Sequence, residues 1–290
     1  MTKCIAFHSY KGGTGKTTIS TNLSTMLANK GYNVFLLDLD VYAPSLGTYF
    51  DVEKPTKWIN DFLFGDASID DIFMDMTRIV APNMKGKLHV GFSNADKEEI
   101  YKLDGNIARQ NSQMQFLRNF ILLREELIMK KNADFVIIDT SPGIRYWSIN
   151  SLAVSDIVFL TLKMGDLDVD GTKKMAQDIY GSFIQFGTKC YLLLNRGSGY
   201  CTVPQSETNR SIKIPEALSM TNSGQMVQNN ILTNLVSDIN LDVISEIPCY
   251  CDIQFSPKEF LTGLKCPEHP FTMKLHELIE KLETYKTTDN

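Results

Sequence analysis

The chain has 290 residues, a formal net charge of −5 and six cysteines. Apolar residues make up 43% and charged residues 22%, which supports a sizeable core and excludes general disorder. The acidic balance argues against nucleic-acid binding driven by bulk charge. With no charged-then-apolar leader in MTKCIAFHSY and no run of the ~18–20 apolar residues a span requires, a water-soluble, cytoplasmic protein is expected.

Short β-branched or apolar runs predict buried strands at Lys3–Ser9, Asn33–Asp38, Leu88–Phe92, Asp134–Asp139, Asp156–Leu162, Lys189–Asn195 and Leu241–Ile247. Helical spacing predicts Thr17–Lys30, Ser112–Lys131, Asp168–Phe186 and Phe271–Tyr285. Strands alternating with helices imply an α/β fold: a doubly wound, mostly parallel sheet covered on both faces. Two stretches read as excursions from that sheet: Tyr49–Lys87, with a short helix near Ile69–Met76, and the polar Gly197–Asn240. No repeat or proline-rich linker divides the chain. One domain over residues 1–285 is expected, followed by a frayed tail at 286–290.

The cysteines (Cys4, Cys190, Cys201, Cys249, Cys251 and Cys266) are scattered, unlike the dense framework of a small secreted domain. Cys249 and Cys251 flank one tyrosine without forming a C-x-x-C pair, so ordinary reduced thiols are expected there.

The most informative stretch is Tyr10-Lys11-Gly12-Gly13-Thr14-Gly15-Lys16-Thr17-Thr18, between the first strand and the first helix. Three glycines let successive backbone N–H groups point into one concavity, and the helix adds its positive end. Lys16 can then reach β- and γ-phosphates, Thr17 can ligate Mg²⁺, and Thr18 is placed for the α-phosphate. A strict G-x-x-x-x-G-K-[ST] pattern fails here because Tyr10 stands at its first glycine; Gly12 does that work instead. Further on, Asn33–Asp38 delivers Asp38 and Asp40 at a strand's carboxyl end, where open α/β sheets bind ligands. The apolar run ending in Asp139 has the Walker B pattern, whose carboxylate holds Mg²⁺ through water.

The segment K-G-G-T-G-K-T-T resembles the deviant Walker A motif of the MinD/ParA/Mrp family of P-loop ATPases, a SIMIBI-type fold. The resemblance covers the chain from Lys3 to about Leu282. It implies that Lys11 crosses a nucleotide-sandwich homodimer to touch phosphates bound by the other subunit. Asp38–Leu46 looks like the family's switch I, in which Asp40 orients or deprotonates the attacking water and Asp38 supports the Mg²⁺ shell. By the same resemblance Thr140–Gly143 is switch II, which senses the γ-phosphate, and Arg145 and Trp147 beyond it either pass the change to a partner or simply pack. Asn195-Arg196 looks like the family's purine-contacting N-R, and Pro248 opens a loop like the one that lines the base. ATP rather than GTP is implied by the family, since no N-K-x-D element is visible.

Among relatives, cluster-bridging iron proteins need cysteines near switch II, and Asp139–Ser155 contains none. Mrp-type iron–sulfur scaffolds usually carry a C-x-x-C pair, absent here, and metabolic P-loop ligases or kinases generally lack Lys11. MinD proteins end in a basic amphipathic helix that inserts into membrane. Residues 256–290 hold five lysines against six carboxylates, so the stripe Phe271, Leu275, Leu278, Ile279 and Leu282 is expected to dock on the sheet. ParA-type DNA binding would rest on Lys130-Lys131 and Lys173-Lys174, a thin patch for counterion release. The expected activity is slow Mg²⁺-dependent ATP hydrolysis resetting a dimer switch that positions or partitions a cargo. The resemblance also implies an unidentified activating protein and a cytoplasmic location that extends to the periphery of membrane or nucleoid. An Mrp-type scaffold and a metabolic ligase or kinase remain as alternatives.

Overall fold

The computed structural model describes residues 3–50, 54–107, 110–163, 165–185, 187–197, 233, 235–254 and 256–288. Cys201, Phe186 and most of the expected Gly197–Asn240 excursion lie outside them, as do the last two residues.

Eight strands form one sheet: β1 (Lys3–His8), β2 (Asn33–Leu39), β3 (Met74–Asp75), β4 (Lys87–Gly91), β5 (Phe135–Thr140), β6 (Ile157–Leu162), β7 (Lys189–Gly197) and β8 (Val243–Pro248). Their order is β3-β4-β2-β5-β1-β6-β7-β8, and every pair is parallel except β3 with β4. All seven strands expected from composition are present. The helices are α1 (Lys16–Lys30), α2 (Ile59–Phe64), α3 (Thr77–Val80), α4 (Lys97–Ile107), α5 (Gln110–Met129), α6 (Tyr146–Ala153), α7 (Asp166–Met175) and α8 (Gly181–Gln185). Short helical turns at Cys251–Gln254 and Thr262–Lys265 precede a terminal helix, Pro270–Thr288.

Successive strand residues feed opposite faces, as the two-residue period requires. Ile5, Phe7, Val34, Leu36, Phe135 and Ile137 pack with α1 and the terminal helix. Cys4, Ala6, Phe35, Leu37, Val136 and Ile138 pack with α5, α6 and α7. The apolar stripe of the terminal helix is buried against the first of these faces, with Leu275, Leu278 and Leu282 fully covered. Glu283 ties its far end down by accepting from Lys30 Nζ (2.6 Å) and the Tyr32 hydroxyl (2.7 Å).

Three expectations are corrected. The helix near Ile69–Met76 is instead a turn followed by β3, because Met74 and Asp75 pair with β4 and Asp75 Oδ1 accepts the Thr77 N–H that starts α3. The single helix expected over Asp168–Phe186 is interrupted by a π-turn at Ala176–Tyr180. That wider turn carries an extra residue, and Tyr180 is buried in the core. Residues 286–288, expected in the frayed tail, continue the terminal helix.

Candidate functional site

The parallel register sets the site. Asp38 and Asp139 are direct neighbours across β2 and β5, and Phe7 of β1 is paired with Asp139. All three strands therefore end at one level, beneath the loop that joins β1 to α1. Gly15 holds φ +89, a left-handed conformation that turns the chain into the helix. A Cβ there would also sit 2.1 Å from Asn195 Nδ2.

A cleft of ≈ 440 Å³ opens over this level. Gly12, Gly13, Gly15, Lys16, Thr17 and Thr18 form one wall; Asp40, Tyr42, Ser45 and Tyr49 form another; Ser141, Pro142 and Arg145 form a third. Lys16 is buried and donates to Ser9 Oγ at 2.9 Å. Burial lowers its ammonium, against the pull of the Asp139 and Asp40 carboxylates. The Thr17 hydroxyl donates to Asp139 Oδ2 at 2.6 Å and accepts from Ser45 Oγ at 3.2 Å. Ser141 Oγ donates to Asp40 Oδ1 at 2.9 Å, joining the loop after β2 to the turn after β5. Asp38 lies below, accepting from the backbone N–H of Asp40 (3.0 Å) and Leu46 (3.4 Å).

The donor set fits a hard divalent cation. Burial and the neighbouring Asp139 hold Asp38 well above the usual carboxylate range, and burial pushes Asp139 up to about 6 despite Lys16 and Thr17. Asp139 Oδ1 is buried without a hydrogen-bond partner. Buried carboxylates left uncompensated are costly, and a cation with oxygen ligands relieves that cost.

Beside the cleft lies a recess of ≈ 70 Å³, lined by Gly15, Thr18, Asn195, Arg196, Pro248 and Tyr250 among others. The residues expected at the base thus come together. Asn195 Nδ2 donates to the Thr14 carbonyl at 2.7 Å, so this side chain also tethers the loop. Lys11 is not among the residues lining the cleft; its Nζ lies 4.0 Å from Asp168 on α7, and its side chain is 40% exposed.

Sequence reasoning missed several participants. Tyr49 OH donates to Thr18 Oγ1 at 2.9 Å, and Glu259 lines both the cleft and the recess. Fully buried His8 bonds through Nδ1 to Thr140 Oγ1 at 2.7 Å, while that hydroxyl donates to the Phe7 carbonyl at 2.8 Å. Burial and nearby Lys16 lower the His8 imidazole to about 3. None of these carries a local motif. Trp147 packs in the core, edge-on to Phe116 and Phe120 at centroid distances of 5.7 and 5.4 Å.

The features weighed for other surfaces are engaged elsewhere. Lys130 pairs with Glu126 (2.9 Å), Lys131 with Asp70, and Lys173 with Asp238 (2.6 Å). Among the described residues no group of three or more His, Cys, Asp or Glu side chains is placed to hold a metal ion. No helix among them is long and apolar enough to cross a membrane.

A family model described as an AAA domain matches residues 2–185. The chain belongs to the MinD/ParA family of P-loop ATPases. Sporulation initiation inhibitor protein Soj of Bacillus subtilis is 26% identical over 184 residues, covering 62% of this chain and 65% of Soj. The first curated relatives are spanned over 40% to 65% of their own length. The fold matches the septum site-determining protein MinD of Pyrococcus horikoshii, solved with Mg-ADP, at TM-score 0.68 and 19% identity over 100% of this chain and 99% of that one. It also matches cobyrinic acid a,c-diamide synthase of Mycobacterium smegmatis, solved with an ATP analogue and magnesium, at TM-score 0.69 and 17% identity over 99% and 97%.

Proposed function

We propose that this P-loop ATPase is an ATP-dependent dimerisation switch whose slow Mg²⁺-dependent hydrolysis resets a positioning or partitioning cycle. The observation that carries the reading is the 2.9 Å bond between Ser141 Oγ and Asp40 Oδ1, which links the two loops resembling switch I and switch II above Lys16, Thr17 and Asp139. A group that contacts both loops at once can bias their arrangement, and that is how a terminal phosphate is sensed.

In this reading the loop Gly12–Gly15 and Lys16 bind the phosphates, with Thr14 and Thr18 at its inner rim. Thr17 and Asp139, with Asp38 behind them, would hold Mg²⁺, which when bound neutralises charge on the phosphates. Asp40 orients the attacking water and accepts its proton, while Asn195, Arg196 and Pro248 line the base recess. Lys11, exposed and absent from its own cleft wall, suits a role in a second copy of the chain. The likeness to the septum site-determining protein MinD supports a positioning role. The ion-paired lysines and the docked terminal helix favour neither DNA nor membrane as the sensed surface. A homodimer and an activating protein are the expected partners, in the cytoplasm or at the edge of membrane or nucleoid.

Light scattering tests this. Asp40→Ala should form a stable larger species with Mg-ATP, Lys16→Ala should bind no nucleotide, and Lys11→Ala should bind but neither dimerise nor hydrolyse. A Lys11→Ala chain that behaves like the parent would remove the cross-subunit role. A second reading, a P-loop ligase or kinase, draws on a further cleft of ≈ 280 Å³ on the other side of Asp38, lined by Lys54, Trp58, Ser93 and Asn94 among others. Turnover stimulated by a small carboxylate would select it.

A further inference from the structure

The cations around the cleft are unequally disposed. Lys16 lies at the floor of the phosphate loop. Arg196 lines both the cleft and the base recess, which places it toward the nucleoside end. Lys11 faces Asp168 and is not part of the wall. Arg145 lines the cleft together with Asp40, Tyr42 and Ser141, the residues beside which a terminal phosphoryl group and its attacking water would sit in the reading above.

Its position is built, not incidental. Gly143, at φ +77, donates its N–H to the Ser9 carbonyl (2.8 Å), and Arg145 donates its own N–H back to the Gly143 carbonyl (3.0 Å). The backbone of Arg145 is thereby anchored to the strand end that leads into the phosphate loop. Its guanidinium lies over the Tyr42 ring, 4.5 Å from the centroid, and the Tyr42 hydroxyl is held by Asp104 Oδ1 at 2.8 Å. Among the described residues no carboxylate forms a salt bridge with Arg145. The guanidinium interacts with both the ring and the hydroxyl of Tyr42, which together set its position, and its remaining N–H donors suit phosphate oxygens in a planar fork that lysine cannot reproduce.

We propose that Arg145 is a catalytic cation acting in cis on the terminal phosphoryl group, presented by the Tyr42 ring, so that each subunit carries a charge of its own besides the one Lys11 brings to a partner. The proposal rests on the ATPase reading above. In the step it serves, a water oxygen bonds to the γ-phosphorus and the bond to the β–γ bridging oxygen breaks. The electron pair leaves on ADP, and the water proton goes to Asp40 and then to phosphate. Arg145 remains protonated throughout and binds the charge spread over the transferring oxygens.

The test compares the affinity of the full chain for Mg-ADP with that for Mg-ADP plus aluminium fluoride, by calorimetry, alongside turnover. The parent should prefer the aluminium fluoride complex. Arg145→Gln should lose about 10²–10³-fold of that preference and a similar factor in turnover, with Mg-ADP affinity and melting temperature unchanged. Arg145→Lys should recover only part of it, and Tyr42→Leu should weaken it with Arg145 still present. The loss of aluminium fluoride preference, read by calorimetry alone, should persist in a Lys11→Ala background, where no cross-subunit cation remains and turnover is already absent. An Arg145→Gln chain that keeps the parent's preference overturns the proposal, as does one that loses both affinities equally. A parent with no preference at all removes the ATPase reading itself, which separates the two failures.

Discussion

Gly171→Ala tests how α7 is seated on the phosphate loop. Helix propensity favours the change by about 1 kcal/mol, because alanine loses less backbone freedom than glycine in a helix. The packing opposes it: a Cβ on Gly171 would lie 2.0 Å from Tyr10 Cε1, 2.1 Å from Cδ1 and 2.7 Å from Cγ. Carbon atoms pack at about 3.5–4.0 Å, so helix or ring must move by about 1.5 Å. Overpacking of that kind costs ~1–3 kcal/mol, which leaves a net loss of up to ~2 kcal/mol. Tyr10 directly precedes Lys11, so nucleotide affinity should fall as well. Urea denaturation of four chains measures it: the parent, each single variant, and Gly171→Ala with Tyr10→Ala. In the Tyr10→Ala background Gly171→Ala should stabilise by about 1 kcal/mol, giving a coupling of ~1–3 kcal/mol. If Gly171→Ala stabilises the parent by the propensity amount, the Tyr10 contact does not exist in solution and the reasoning is refuted.

Two further outcomes follow from buried groups. Trp147→Ala should cost ~3–5 kcal/mol of stability, since the indole is enclosed with Phe116 and Phe120, and a loss below ~1 kcal/mol would contradict its core placement. His8, lowered from 6.5 to about 3 by burial and Lys16, is neutral in the fold where the unfolded chain would be protonated. Stability should therefore fall as pH drops from 6.5 towards 3, by up to ~1.4 kcal/mol per pH unit from this group. Asp38 and Asp139, raised by burial, act in the opposite sense, so the diagnostic quantity is the difference between the parent and His8→Asn. Equal pH slopes for the two chains would show that His8 is not the buried neutral group described.

The parallel strands were readable because a strand covered on both faces is an unbroken apolar run, and IAF, VFLLD, FVIID and IVFLTL are such runs. The phosphate loop was readable for a different reason. Its chemistry needs glycines, a lysine and a hydroxyl within one strand-to-helix turn, so every requirement falls within about ten residues of chain. The acidic residues at strand ends followed once the strands were placed. The π-turn inside the Asp168–Phe186 helix was not readable, because one extra residue in a turn rotates the helix beyond it without leaving a residue-type signal, and the burial of Tyr180 is decided by packing on the sheet. The helix expected near Ile69–Met76 failed because β-pairing with β4 overrode local spacing.

Tyr10 shows where local reading ends. From the motif it was a missing glycine; in the fold its ring meets Gly171, the one residue type on α7 that leaves room for it. Asn195 and Thr14 are 181 positions apart yet share a 2.7 Å bond, and Tyr49 and Glu259 reach the cleft from segments with no motif at all. Arg145 was visible only as a residue after the Asp139 strand, and its ring partner Tyr42 was set by the pairing of β2 with β5. Backbone cradles and strand runs are written in consecutive residues because hydrogen bonds and dihedral limits act locally. The direction in which a side chain faces a cleft depends on register and packing across the sheet, which no short stretch of chain encodes.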